Sequence, residues 1–399
     1  MSTTELGLSE LVGADEDYLV DIRRHLHAQP ELSHEEFNTT ALVIDEMKKI
    51  GASQLPLDLE TGAAFALQGG RPGKTVLLRA DLDALPVTET RDLSFRSAVE
   101  GIMHACGHDA HTAGLIGSAR ALAKRLEDLP GKYVFAFQPA EETLGGALAM
   151  IDAGLLEQAR PDVSLGWHSA SIAPLGFIGL RNQVMMAESQ SFAFHAEGQG
   201  GHGALASSLG GNVLLAVAGL ARRLDDVVEN LIYEGTACAC SAGILQAGTA
   251  ANVIPAHAQL RGTLRTFTPE QYATACARLR DLAAECSAAE GVTVTLELGG
   301  RAPAVINDPR ITDIVRASGR AVLGDDRVLE LPPVTPSEDM SEFLNRVPGC
   351  FFFVGGALAD GSSGGHHQEG FALDDACVAL GASVLGEAAR HCAELESTA

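Results

Sequence analysis

The sequence predicts an α/β protein in which a mixed, largely parallel sheet domain is interrupted by a smaller ferredoxin-like α+β domain. Strands and helices alternate between residues 75 and 166, which is typical of a parallel sheet covered by helices. Between residues 189 and 298 the order becomes strand, helix, strand, strand, helix, strand, as in ferredoxin-like folds. The first pattern then resumes. We therefore expect residues 1–186 and 299–399 to form one discontinuous domain and residues 187–298 the inserted one, and a chain of 399 residues has the length for both.

The α/β domain begins with two predicted helices. Leu19, Ile22 and Leu26 recur at helical spacing across residues 17–27. Ser-His-Glu-Glu at residues 33–36 is typical of a capping box for a second helix, which Gly51 would end. The alternation that follows predicts strands at residues 75–79, 133–137 and 163–166, and helices at residues 112–126 and 141–153.

The inserted segment contains two predicted helices, at residues 212–229 and 269–289. The second has a clear start, because Thr268 can cap it, Pro269 suits its first position and Gln271 completes the capping box. Beyond the insertion, the sequence predicts a helix at residues 338–345, a strand at residues 350–354 and a long helix at residues 373–394.

Charge and composition limit the classes of partner. The formal net charge is −24 at pH 7, and phosphate binding requires clustered Lys and Arg, so neither nucleic acid nor an anionic membrane is an expected partner. No run of ~18 apolar residues is present, and the N-terminus lacks a basic start followed by an apolar core. The eight Cys are scattered, as buried thiols would be. We therefore expect a cytoplasmic protein.

Metal-capable side chains follow the predicted strands. Asp81 and Asp83 follow the first, Glu141 and Glu142 the second, and His168 the third. Ligand sites in open α/β sheets lie at the carboxyl ends of the strands. Each piece alone has a simpler explanation, since paired Glu residues often offset a helix dipole and a single His often lies in the core. Together they predict a site.

The segment His104-Ala105-Cys106-Gly107-His108-Asp109-Ala110-His111 is the strongest single indication of a metal. Three His, one Cys and one Asp fall within eight residues, a cluster that packing alone does not explain. By contrast, the G-x-G-x-x-G spacing of residues 198–203 does not indicate a dinucleotide site, because neither a helix nor a ribose-binding acid follows at the required place. We interpret those glycines as a loop that presents His202.

These residues resemble a known family, the metal-dependent amidohydrolases that include hippurate hydrolase, bacterial N-acyl-amino-acid deacylases and the plant hydrolases of indole-acetyl-amino-acid conjugates. The resemblance extends over nearly the whole chain. It rests on RRHLHAQPELSHEE, LLRADLDALPVTE, GIMHACGHDAHTAGL, FQPAEET, GGHGA, AGTAANVIPAHAQLRGTLRTF, SEDMSEFLNRVPGCFFFVG and HHQEGF. It implies a catalytic α/β domain with an inserted ferredoxin-like lid.

The resemblance also implies a set of functional residues. It implies cleavage of an amide bond in a small N-acyl amino acid or a related amide, two divalent metal ions whose identity (Mn, Zn, Co or Ni) stays open, and a homodimer or higher homo-oligomer. The implied roles are metal ligands at Cys106, His108, Glu142, His168 and His367, a general base at Glu141, residues that orient ligands at Asp81 and Asp109, a transition-state stabiliser at His202, and substrate-binding residues at Asn252 and Arg265.

Two departures leave the substrate open. After GGHGA the chain reads LASSLGGN, where the family has Pro-His and then Asp-Pro. The final ligand motif H-x-P-x-F-D is replaced by residues 367–372, and His366 precedes it, so either His could be the last ligand. A dipeptidase or carboxypeptidase, a deaminase, and a non-catalytic metal-binding or ligand-binding protein are the alternatives.

Overall fold

The computed structural model describes residues 6–396, apart from the side chains of residues 206 and 207. Within this part the chain forms two compact units. The first contains the residues up to Gln183, Ile306–Leu331 and the residues from Asp339 onward, and the second contains Val184–Val305 and Pro332–Glu338. The second unit therefore extends beyond the expected residues 187–298. The backbone of Ala187 donates to Val334, which ties the short second segment to it.

The helices of residues 6–396 are numbered here in chain order. They are α1 (Leu8–Gly13), α2 (Glu16–Ala28), α3 (Phe37–Ile50), α4 (His108–Ala123), α5 (Gly146–Asp152), α6 (Leu155–Ala159), α7 (Val213–Ala221), α8 (Leu224–Val228), α9 (Pro269–Glu290), α10 (Pro309–Leu323), α11 (Ser341–Leu344) and α12 (Ala376–Ala393).

The strands are numbered in the same way. They are β1 (Ser53–Gln54), β2 (Ala63–Gln68), β3 (Arg71–Asp81), β4 (Pro130–Gln138), β5 (Val163–Pro174), β6 (Ile178–Leu180), β7 (Gln183–Met186), β8 (Glu188–Glu197), β9 (Gly201–His202), β10 (Ile232–Tyr233), β11 (Thr236–Ala237), β12 (Ala239–Ala247), β13 (Val253–Ile254), β14 (His257–Thr266), β15 (Thr293–Ala302), β16 (Val305–Asn307), β17 (Val328–Glu330) and β18 (Gly349–Ala357).

The first unit is built on an eight-stranded mixed sheet with the order β1-β2-β4-β3-β5-β18-β6-β17. Its centre is parallel, because β3 pairs in parallel with β4 and β5, and β5 pairs in parallel with β18. Antiparallel pairs occur at β1–β2, β2–β4 and β18–β6. Helices α4 and α12 pack on this sheet and on each other. The predicted mixed, largely parallel sheet is confirmed.

The core of the first unit has the only Trp of the chain at its centre. Trp167 is buried on β5. A Cβ on Gly114 of α4 or on Gly381 of α12 would lie 2.6 Å from its ring, so these glycines allow both helices to approach the indole closely.

The second unit contains a four-stranded antiparallel sheet with the order β12-β14-β8-β15. Helices α7, α8 and α9 pack against it around a core that includes Phe192, Phe194 and Leu260. This is the predicted ferredoxin-like arrangement, and it is confirmed.

Several predicted helix boundaries were wrong for identifiable reasons. The capping box at residues 33–36 does not form: Ser33 donates to Asp83 instead, and α3 begins at Phe37. The helix expected at residues 141–153 begins only at Gly146, because Ala140 and Leu144 adopt positive φ angles. The helix expected at residues 212–229 is divided into α7 and α8.

Two helices near the C-terminus are shorter than predicted. The helix expected at residues 338–345 is the single turn α11, and the one expected at residues 373–394 starts at Ala376. Asp374 accepts a hydrogen bond from the backbone of Ala376, so the chain turns just before α12. Within residues 6–396 no helix has both the length and the apolar character needed to cross a membrane.

Candidate metal centre

The metal-capable residues of the first unit converge at the carboxyl ends of its central strands. Asp81 ends β3, and the Glu141–Glu142 pair follows β4. β5 continues to Pro174, past the predicted end at residue 166, so His168 lies within the strand, two residues beyond the last residue that pairs with β3. His108 begins α4, and Cys106 precedes it in the same loop. Because β4, β3 and β5 are neighbours and parallel, their ends meet at one edge of the sheet.

Cys106, His108 and His168 form one group whose possible ligand atoms all lie within 4.8 Å of one another. Nδ1 of His168 donates to the carbonyl of Ser169 at 2.7 Å, so its Nε2 is directed to the Sγ of Cys106, 3.4 Å away. A ring nitrogen held by a backbone carbonyl fixes the tautomer that leaves the other nitrogen available to a metal.

Cys106, Glu142 and His367 form a second group of the same size. His367 lies in an exposed loop with a φ of 63°, and its backbone N–H donates to the carbonyl of Ala105 at 2.8 Å. This bond holds His367 next to the segment that contains Cys106. Nε2 of His367 is 3.4 Å from Oε2 of Glu142.

The two groups share Cys106, and their donor atoms would suit two divalent ions. His108 Nε2 and Glu142 Oε1 are buried and have no hydrogen-bond partner among the described residues, which costs free energy unless a cation binds them. Nitrogen, sulfur and carboxylate donors together suit zinc-like metals.

The electrostatics at His108 also favour a cation. Burial by itself would lower the pKa of this imidazole, but Asp81, Asp83 and Glu142 outweigh burial and raise it to about 10. Nδ1 of His108 lies 3.3 Å from Asp83, and Nε2 lies 3.7 to 3.9 Å from Asp81, Glu142 and Glu141. The carboxylates therefore stabilise positive charge at this point.

Glu141 and Glu142 are presented by a loop that is held through its backbone. Ala140 has a φ of 51°, and its N–H donates to the carboxylate of Glu36 at 2.8 Å. The N–H groups of Glu141 and Glu142 each donate to a different oxygen of Asp83 at 3.0 Å. The two carboxylate side chains are thus fixed at the edge of the ligand groups.

Asp81 and His111 belong to the support of the site and are already fully bonded. Nδ1 of His111 donates to Asp81 at 2.6 Å, and its Nε2 accepts from the backbone of Ser169 at 2.8 Å. Asp81 also accepts from Arg79 at 2.8 Å. Burial would raise the pKa of Asp81, but His108, His111 and Arg79 outweigh it and hold that pKa well below the usual range. With both ring nitrogens in use, His111 has none left for a metal.

Asp109 is turned away from the ligand groups. Its Oδ2 accepts from Arg23 at 3.1 Å and from His27 at 2.9 Å, and His27 also contacts Glu89. Arg23 bonds the carbonyl of Leu373 as well, at 3.2 Å. The structure therefore connects Asp109 to α2 and to the segment before α12, rather than to a ligand side chain.

The lid residues of the second unit fall into two places. His202 is exposed on β9, where it pairs with Val253. Gly203 donates to the carbonyl of Asn252 at 2.8 Å, so His202 and Asn252 are neighbours. Arg265 lies on β14, pairs with Ser189 and donates to Ser337.

The model of peptidase family M20/M25/M40 matches residues 77–391 of the sequence. The chain belongs to this family. It is 35% identical over 378 residues to thermostable carboxypeptidase 1 of Saccharolobus solfataricus, covering 92% of this chain and 93% of that one. It is 35% identical over 377 residues to the N-acetyl-L-cysteine deacetylase of Bacillus subtilis, covering 94% and 88%.

A solved structure of the same family gives a similar result. The Bacillus subtilis YXEP protein, described as a dinuclear metal binding peptidase from the M20 family, superposes with a TM-score of 0.81 at 30% identity, covering 96% of this chain and 99% of that chain. The predicted family resemblance is confirmed, and this M20 chain is a hydrolase that acts on amide bonds.

Several residues of this M20 site were missed from the sequence. The sequence indicates only that Asp83 can bind metal, and its bonds to two backbone N–H groups depend on a loop conformation that no spacing rule gives. Arg23, His27 and Glu36 lie far away in sequence from the residues they bond. The one available indication was that RRHLHAQPELSHEE contains more charged and imidazole groups than a surface helix needs.

Proposed function

We propose that the chain is a two-metal amidohydrolase that cleaves the amide bond of a small N-acylated amino acid, with Glu141 as general base. The observation that carries the proposal is the pair of ligand groups that share Cys106, with Glu141 beside them. Cys106, His108 and His168 would hold one ion, and Cys106, Glu142 and His367 the other. Mn, Zn, Co and Ni are the candidate ions.

When bound, the ions would lower the pKa of a water molecule and polarise the carbonyl of the substrate. Glu141 would take the proton from that water and give it to the leaving amine. Its Oε2 lies 3.9 Å from His108 Nε2, so the carboxylate borders the ligand groups, and it is buried beside them, within reach of a water held there. Asp81 would hold the supporting imidazole of His111 in place.

The roles of the lid residues are also part of the proposal. His202 would donate to the oxygen on which negative charge develops, and Asn252 would bind substrate next to it. Arg265 supplies a guanidinium, whose fork of donors suits a substrate carboxylate. Asp109 would act on ligand geometry indirectly, through the backbone that it shares with His108. The homodimer and the cytoplasmic location stay predictions.

A carboxypeptidase or dipeptidase is the second candidate, because a carboxypeptidase is as similar to this chain as a deacetylase is. Both activities hydrolyse an amide bond next to an amino acid, so the same residues would serve either one. Neither the soft thiolate nor the departures after His202 and His367 indicate which of the two substrate classes is cleaved. Relative rates of hydrolysis of matched substrates will distinguish the two activities.

The test combines metal analysis with hydrolysis. The purified protein is supplied with Mn, Zn, Co or Ni and offered N-acetyl and N-benzoyl amino acids beside dipeptides of the same residues. We expect about two ions per chain and faster cleavage of N-acyl amino acids. Glu141→Gln should keep both ions and lose roughly 10²- to 10⁴-fold in kcat, whereas Glu142→Gln should lose about one ion.

Each part of the proposal has its own contrary result. A wild-type protein that binds no divalent ion would refute the ligand assignment. Undiminished turnover by Glu141→Gln would refute the general base. Faster cleavage of dipeptides than of N-acyl amino acids would make the carboxypeptidase or dipeptidase candidate correct.

A further inference from the structure

His366 is packed directly against the metal ligands without belonging to either ligand group. It is half-buried, and its ring centroid lies 5.2 Å from that of His168 and 5.1 Å from that of Phe371. Its Nδ1 is 3.7 Å from the Sγ of Cys106, within hydrogen-bonding distance for sulfur. The neighbouring His367 instead faces Glu142.

The position of the proton on His366 follows from its other contact. The backbone N–H of Ser171 donates to Nε2 of His366 at 3.3 Å. A ring nitrogen that accepts a hydrogen bond carries no proton, so the single proton of a neutral imidazole lies on Nδ1. That nitrogen faces Cys106 and can only donate.

We propose that His366 is a positioning residue that donates a hydrogen bond from Nδ1 to the thiolate of Cys106 and thereby orients and tunes the ligand shared by the two ions. The inference rests on the proposed two-metal function, and it assigns different tasks to the adjacent histidines: His367 binds metal, and His366 acts on the sulfur.

The physical effect is on the sulfur lone pairs. A thiolate shared by two cations would have more than one orientation available, and a donor at a fixed place would select one of them. The hydrogen bond also withdraws electron density from sulfur, which makes it a weaker electron donor. Ser171 fixes the ring through its backbone, so the direction of the donor does not depend on another side chain.

Two polar replacements separate the donor from the rest of the ring. The amide nitrogen of His366→Asn takes the place of Nδ1 and can still donate to Cys106. The longer side chain of His366→Gln reaches the place of Nε2, where it can accept from Ser171, and it leaves Cys106 without the donor. Both variants and wild type are loaded with Co(II), and the experiment records bound cobalt per chain, the thiolate-to-cobalt charge-transfer band and the far-UV circular dichroism.

The expected result is a band at the wild-type energy in His366→Asn and at lower energy in His366→Gln, because a sulfur without its hydrogen bond gives up electron density more easily. Cobalt affinity should fall about 10- to 100-fold in His366→Gln and stay close to wild type in His366→Asn. If His366→Gln does not fold, as dichroism would reveal, a band of His366→Asn that differs from wild type would still overturn the proposal, which requires the two to match.

The contrary results are distinct. Equal bands in wild type and His366→Gln, or an equal shift in both variants, would overturn the hydrogen bond while leaving the two-metal site in place. Loss of one cobalt from both variants would make His366 a ligand and overturn the inference. A wild-type protein with no bound cobalt, or with no thiolate band, would instead overturn the proposed ligand set and the inference with it.

Discussion

Asp83 holds three parts of the candidate site at once. One carboxylate accepts the N–H groups of Glu141 and Glu142 and lies 3.3 Å from Nδ1 of His108. Ser33 donates to it as well, at 2.7 Å. These contacts lower its pKa although burial opposes them, so the folded protein keeps it ionised.

We expect Asp83→Asn to weaken metal binding about 10- to 100-fold, because the amide keeps only one of the two oxygens that accept from Glu141 and Glu142 and removes the negative charge beside His108. Isothermal titration with Zn or Mn measures the change. Ser33→Ala is the matched control: it removes one hydrogen bond to the same carboxylate but leaves the ligand side intact, and its affinity should stay near wild type. Equal affinities in Asp83→Asn and wild type would contradict this role for Asp83.

At the scale of elements, helix α12 depends on a glycine that faces Trp167. A Cβ on Gly381 would lie 2.6 Å from two ring carbons of the indole, whereas a Cβ on Gly386 of the same helix would meet nothing within 4 Å. Gly381→Ala should therefore cost about 1–3 kcal/mol through overpacking. Gly386→Ala should be neutral or stabilising by up to about 1 kcal/mol, because Ala favours a helix.

Urea denaturation followed by Trp167 fluorescence measures both variants. A Gly381→Ala protein as stable as Gly386→Ala would mean that α12 can move away from the indole without cost, contrary to a tightly packed core.

A buried network of charged side chains joins helices α2 and α4. Its contribution to the stability of the protein depends on pH. Burial alone would lower the pKa of His27, but hydrogen bonds to Asp109 and Glu89 outweigh it and raise the pKa to about 9 from 6.5. A raised pKa in the folded state stabilises the protein fully below the unfolded value, and that stabilisation is lost as the pH rises toward 9.

We expect the free energy of unfolding of wild type to exceed that of His27→Gln by on the order of 3 kcal/mol at pH 6. This difference should shrink steadily as the pH rises to 9. Unfolding midpoints across this range measure it. His25→Gln, on the exposed side of the same helix, should track wild type at every pH. A difference that is constant from pH 6 to pH 9 would contradict a charged His27.

The elements that the sequence predicted correctly are those whose side chains decide the structure locally. The strands around residues 75–79, 133–137 and 163–166 are rich in apolar and β-branched side chains, and Gly51 ends α3 in the left-handed conformation. The box at residues 33–36 failed because Asp83, fifty residues away, competes for Ser33. The element order predicted that Glu142 and the segment of Cys106 lie at one edge of the sheet, whereas only the resemblance implied that His367 joins them. The bonds of Asp83 and Arg23 could not be predicted from spacing.

At the scale of the whole molecule, each unit has its own hydrophobic core. One core surrounds Trp167 and Phe352 in the first unit, and the other surrounds Phe194 and Leu260 in the second. All the proposed metal ligands lie in the first unit. Metal binding therefore increases the free energy of unfolding of the first unit directly. Unfolding of the whole chain need not be a single two-state transition.

We expect removal of metal by a chelator to lower the melting temperature of the first unit selectively. Trp167 reports that unit alone, because it is the only Trp in the chain and lies 4.9 Å from His111 of the supporting network. Free metal at about 100 times its Kd stabilises the folded state by about 2.7 kcal/mol per site, so the fluorescence midpoint should fall by several degrees with chelator and recover with added metal. Far-UV circular dichroism, which reports both units, should retain a component whose midpoint the chelator leaves unchanged. A fluorescence midpoint that does not change with chelator would contradict a metal centre in the first unit. Equal shifts of the fluorescence and circular dichroism midpoints would show that the two cores unfold together.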